Sequence, residues 1–96
     1  MIRFTSQAIR EIDEILEYIA QDNPRASKEV GAAIQRTIQW IARQPRMSPI
    51  VHAGYVRSKL VLRCQYRVFY AIEGSDVVIR NVRSTRRLRP WEVQSR

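Results

Sequence analysis

The sequence predicts an α+β fold: a short N-terminal strand, then a two-helix antiparallel hairpin packed on one face of a three- to four-stranded, mainly antiparallel sheet. Three observations predict it. Apolar residues recur at helical spacing from about Ser6 to Arg43, and from Gly54 onward the spacing becomes strand-like alternation rich in β-branched and aromatic residues. The alternating segments are joined by connections short enough to imply hairpins.

The elements follow in order. Ile2 to Phe4 read as a short strand, after which Thr5 or Ser6 offers a side-chain oxygen to the first free amides of a helix. Ile9, Ile12, Ile15, Leu16 and Ile19 form the apolar stripe of that helix, while Arg10, Glu11, Asp13, Glu14 and Glu17 take the solvated positions. Gln21-Asp22-Asn23-Pro24 breaks the pattern, with Asn23 suited to cap a second helix and Pro24 to begin it. Val30, Ala33, Ile34, Thr37, Ile38 and Ile41 make the second stripe, which ends near Arg43 because Pro45 disfavours helical geometry at the residue before it. A loop to about Ala53 is expected. Residues 56–62, 66–72 and 77–82 then read as strands, joined by Arg63-Cys64-Gln65 and by Glu73-Gly74-Ser75-Asp76.

Ninety-six residues, read as a single domain over 1–96, hold a modest core and exclude a two-domain enzyme. No apolar run approaches the roughly 20 residues of a membrane helix, and Met1-Ile2-Arg3-Phe4 lacks the apolar stretch of a signal peptide, so a cytoplasmic address is expected. The single Cys64 excludes an internal disulfide. With His52 the only histidine, a structural zinc site lacks ligands, and neither a metal nor a cofactor is expected.

Seventeen Lys and Arg against nine Asp and Glu give a net charge of +8, all of it in the second half. Residues 1–44 carry six cations and six anions; residues 45–96 carry eleven cations and three anions. Fifteen of the seventeen cations are arginine, whose planar fork suits phosphate and carboxylate, so nucleic acid or an acidic protein is the expected partner class. If Leu60, Leu62, Tyr70 and Ile72 face the core, strand alternation collects Arg57, Lys59, Arg63 and Arg67 on the uncovered sheet face as a cationic groove. The plainer reading is a solvated sheet face. Other conspicuous residues also have ordinary explanations: His52 as a loop histidine, Cys64 as an inert thiol at a strand connection, Trp40 as packing. Trp91 follows Pro90 among arginines and is the better candidate to anchor a partner.

Several segments together carry a family likeness. They are Asp22-Asn23-Pro24-Arg25-Ala26 at the helix bend, Gln44-Pro45-Arg46 closing the second helix, and Gly54-Tyr55-Val56-Arg57 opening the sheet. Tyr66-Arg67-Val68-Phe69-Tyr70-Ala71-Ile72 with Val77-Val78-Ile79 and Val82 follows, and Arg86-Arg87-Leu88-Arg89-Pro90-Trp91 completes the set. In this order they resemble the RelE/ParE superfamily of toxins from type II toxin-antitoxin modules, over nearly the whole chain. The resemblance implies growth arrest, plasmid stabilisation and an acidic, ParD-like antitoxin bound as a hetero-oligomer.

The superfamily implies two activities on one fold, messenger RNA cleavage in the ribosomal A site and poisoning of DNA gyrase. Arg67 matches an arginine that RNA-cutting members use on the scissile phosphate, and gyrase-directed members commonly keep it too. RNA cutting would draw its cations from Arg57, Lys59 and Arg67, but needs groups to move protons. Ser84 stands about where relatives place a histidine, and no tyrosine follows Tyr70. The turn after the second helix, Pro45-Arg46-Met47-Ser48, lacks the usual glycine. The resemblance therefore implies a ParE-like gyrase poison acting by protein-protein contact, with no catalytic residue required. Its expected target- or antitoxin-binding residues are Arg57, Lys59, Arg63, Arg67, Arg83, Arg86, Arg87, Arg89 and Trp91. The alternatives are a ribosome-dependent messenger RNA endonuclease and a non-toxic nucleic-acid-binding module.

Overall fold

Thr5 sets the start of the architecture. In a computed structural model that describes residues 1–86 and 89–92, its backbone is extended and its hydroxyl accepts a hydrogen bond from the Ala8 amide at 3.0 Å. This caps the first helix, α1 (Ser6–Asp22). The same hydroxyl donates to the Arg80 carbonyl at 2.8 Å, so one side chain fixes both the helix start and its seat on the last strand. Asn23 repeats the capping, accepting from the Ala26 amide at 3.0 Å, and Pro24 occupies the first turn of α2 (Pro24–Arg43). Ser27 Oγ donates to the Leu16 carbonyl at 2.7 Å and clasps the two helices near the bend.

The strands are β1 (Ile2–Phe4), β2 (Ile50–His52), β3 (Val56–Leu60), β4 (Tyr66–Glu73) and β5 (Asp76–Ser84). They form one five-stranded sheet in the order β1-β5-β4-β3-β2. β1 runs parallel to β5, and the other neighbours are antiparallel. The strand count exceeds the expected three to four because the segment read as a loop after α2 contains β2. Three residues paired across an irregular register leave too little alternation for a sequence to signal. The turn that joins β2 to β3 places Ala53 and Gly54 at φ 55° and 79°, closed by the Tyr55 amide on the His52 carbonyl at 3.1 Å. Glycine suits the second of these positions because it carries no Cβ to crowd the left-handed backbone.

One core lies between the hairpin and the sheet. Ala8, Ala33, Ile34, Ile38 and Ile41 of the helices meet Val61, Val68, Tyr70, Val77, Ile79 and Val82 of the sheet side. Two expectations about burial need correction. Ile9 is 51% exposed, and its place in the α1 interface is taken by Ala8 and by Glu11, a carboxylate only 5% exposed. Leu60 and Leu62 are 43% and 76% exposed rather than buried. Their strand pairs Arg57 with Tyr70, Ser58 with Phe69, Lys59 with Val68 and Leu60 with Arg67. Directly paired residues share a face, so Val61 enters the core and its leucine neighbours point away.

Candidate functional site

That register divides the cations. Arg57 and Lys59 lie on the helix side with Tyr70 and Val68, whereas Arg67 lies on the opposite face with Phe69 and Ser58. The single groove of Arg57, Lys59, Arg63 and Arg67 expected from alternation is therefore replaced by two cationic regions back to back. The expectation differs from the structure because the run Leu60-Val61-Leu62 at the end of β3 is apolar in both registers, and the long stems of Arg57 and Lys59 can lie on the covered side at the margin of the hairpin.

Each helix-side cation has a local job. Arg57 Nη1 donates to the Ser48 carbonyl at 2.7 Å and to the Arg46 carbonyl at 3.2 Å. Its register partner Tyr70 donates its hydroxyl to the Pro45 carbonyl at 2.8 Å, so the two side chains together anchor the chain as it leaves α2. Lys59 Nζ sits 4.3 Å from the centroid of the Trp40 ring, a cation–π contact between β3 and α2. Around it, Trp40, Leu60 and Leu62 with Arg36 and Arg63 line a groove of about 530 Å³.

The open face carries a second depression, about 400 Å³, lined by Arg67, Arg83, Arg86 and Arg89 among others. Arg67 and Arg83 are directly paired on β4 and β5. Arg67 Nη1 donates to Ser58 Oγ at 2.9 Å. Arg83 Nε donates to Glu11 Oε2 at 2.9 Å in a largely buried ion pair. Glu11, at a position whose helical spacing predicts a solvated face, is buried instead. β1 ends at Phe4, opposite Ile79, so the remainder of β5 has no strand on that edge. Glu11 fills that place: its Oε1 accepts from the Val82 amide at 2.9 Å, and both carboxylate oxygens lie within 3.3 Å of Asn81 Nδ2. A backbone donor that would otherwise be buried without a partner is satisfied by a helix side chain. No spacing rule signals this, because a glutamate among helical glutamates looks like any solvated one.

The tail returns across the open face. Trp91 stacks on His52 with ring centroids 4.1 Å apart and planes within 6°, and it meets Phe69 edge-on at 5.5 Å. His52, read as a loop histidine, thus ends β2 and supports the tail. The Glu92 carboxylate accepts from the Arg89 amide at 2.9 Å and closes a local turn. Arg87 lies outside the described residues. Burial raises the Tyr66 phenol above its ordinary pKa, with smaller contributions from Cys64 and Tyr18. Among the described residues no three His, Cys, Asp or Glu side chains converge as metal ligands, and no helix is long and apolar enough to cross a membrane.

Comparisons with known proteins agree with this architecture. Residues 2–89 match the family described as the ParE toxin of the type II toxin-antitoxin system, parDE. Among solved structures, a chain of the chromosomal ParDE TA system from P. aeruginosa is similar with a TM-score of 0.74. The likeness covers 86% of this chain and 92% of that one at 17% identity, which is a likeness of fold. No curated protein matches the sequence.

Proposed function

The chain belongs to the ParE toxin family of type II toxin-antitoxin systems, and from that membership we propose that it arrests growth by poisoning DNA gyrase through protein-protein contact. It acts in the cytoplasm as one toxin domain over residues 1–96, without a cofactor, until a cognate antitoxin neutralises it. The solved neighbour comes from a ParDE system, which supports an antitoxin partner of ParD type. A net charge of +8 favours an acidic one.

The observation that carries the gyrase reading over RNA cleavage is the division of the cations. A transition state at one phosphorus needs its cations within hydrogen-bonding reach of the same few oxygens. Here Lys59 stands on the helix side of the sheet against Trp40, Arg57 is engaged with two backbone carbonyls, and Arg67 projects from the other face. These three side chains do not converge on one scissile bond. A gyrase poison makes no such demand, because separate surfaces can serve separate protein partners.

The test uses purified toxin in a gyrase supercoiling assay, beside translation of a defined message. Inhibited supercoiling with intact messages is the expected result. A-site cuts with supercoiling unaffected would transfer the function to a ribosome-dependent endonuclease. Neither effect, from folded protein that also causes no growth arrest when expressed, would leave a non-toxic binding module. The Arg67→Ala, Lys59→Ala double variant is expected to retain gyrase inhibition if the helix surface or the tail meets gyrase.

A further inference from the structure

The two cationic depressions differ in their walls. The helix-side groove has apolar walls of Trp40, Leu60 and Leu62, whereas the open-face cleft presents Arg67, Arg83, Arg86 and Arg89 with the hydroxyls of Ser84 and Thr85, the edge of Phe69, and one carboxylate, Glu92, that accepts from the Arg89 amide. Like charges directly opposed on neighbouring strands repel, yet Arg67 and Arg83 are so paired. Both guanidiniums are oriented from behind, Arg67 by Ser58 Oγ and Arg83 by Glu11. Ser58 is neutral, and no carboxylate pairs with Arg67 among the described residues. The exposed Arg86 and Arg89 complete the lining.

We propose that this cleft grips the phosphate backbone of duplex DNA. Fixed guanidinium forks and hydroxyls are the side chains that contact phosphate oxygens, and they need no apolar anchor. An acidic peptide of comparable affinity does need one, and apolar anchors line the other groove. Single-stranded nucleic acid is held on exposed aromatic platforms, but Phe69 is 4% exposed and the Trp91 ring is stacked on His52. The cleft thus suits an intact duplex. Resting on the gyrase reading above, this makes the toxin's target gyrase with DNA in place rather than gyrase alone.

The experiment measures binding of a short labelled duplex by fluorescence anisotropy across a salt series, with wild type, an Arg86→Gln, Arg89→Gln variant and an Arg36→Gln, Arg63→Gln variant. All four arginines in these pairs are exposed, so the folds are expected to persist, and thermal melts check them. Contact with three or four phosphates gives a log–log salt slope of about −3. The cleft variant is expected to flatten that slope by about 2, and the charge-matched helix-side variant to leave it unchanged. Equal weakening by both pairs would reduce the effect to net charge and overturn the proposal. So would tighter binding of a single-stranded RNA or of polyglutamate than of the duplex. Supercoiling assays on the same proteins separate the two readings. A wild type that binds duplex through the cleft without inhibiting gyrase supports the cleft and refutes the gyrase target. Gyrase inhibition undiminished in a cleft variant that binds duplex as tightly as wild type keeps the target and refutes the cleft.

Discussion

Replacing Glu11 by alanine is expected to be among the most damaging single changes in α1. The carboxylate is 5% exposed and accepts from the Val82 amide, from Asn81, from Arg83 and from Gln7. Its removal leaves the Val82 amide buried without an acceptor, a cost of about 1–3 kcal/mol. Loss of the charge-assisted bond adds about 1–2 kcal/mol, below the value for a fully buried pair because the Arg83 side chain keeps 21% of its surface in water. A total of about 3 kcal/mol corresponds to a Tm lower by about 12–24 °C for a domain of this length. The assay is thermal unfolding followed by circular dichroism, with Glu11→Gln as the intermediate case, since its amide oxygen still serves Val82. A Glu11→Ala melt within about 4 °C of wild type, equivalent to less than about 1 kcal/mol, would refute the claim that this side chain closes the edge of β5.

Three further outcomes are expected. Tyr70→Phe removes the bond to the Pro45 carbonyl and is expected to cost about 1 kcal/mol, read as a lower urea midpoint with the slope unchanged. The Tyr66 phenol has a folded pKa above its ordinary 10.0. Its contribution to stability is therefore intact below pH 10.0 and lost as pH rises through the folded value. Urea midpoints measured above that pH should fall more steeply for wild type than for Tyr66→Phe; parallel curves would contradict the burial argument. Trp91→Ala is expected to remove the ring-current shift from the His52 ring protons, which move downfield by NMR, at a stability cost of about 1 kcal/mol or less. An unchanged His52 spectrum would show that the tail does not rest there in solution.

The helical hairpin was legible because its signals are local. Asn23 and Pro24 mark the bend by side-chain chemistry alone, and the stripe from Ala33 to Ile41 is buried as its spacing requires. The strands of β4 and β5 were legible for the same reason, down to Gly74 in the tight connection between them. What the sequence did not disclose was the face on which β3 presents each residue, since Val61 and its neighbours Leu60 and Leu62 offer apolar groups in either register. A register is a relation between strands, and only the pairing with β4 decides it. That one uncertainty separated Arg57 and Lys59 from Arg67. Glu11 and the His52–Trp91 stack were illegible for a related reason, because each depends on a partner far along the chain.

The parallel pairing of Ile2 with Val77, and the hydrogen bond from the Thr5 hydroxyl to the Arg80 carbonyl across 75 residues, bear on how the protein comes into being. A ribosome must have delivered the chain past Val77 before its first strand finds this neighbour, and contacts so distant in sequence slow folding. A chain stalled before residue 76 lacks the whole of β5, and with it Arg83 and the Arg80 carbonyl on which the start of α1 is seated. Translation products that stop short of β5 should accordingly fail to reach the native sheet.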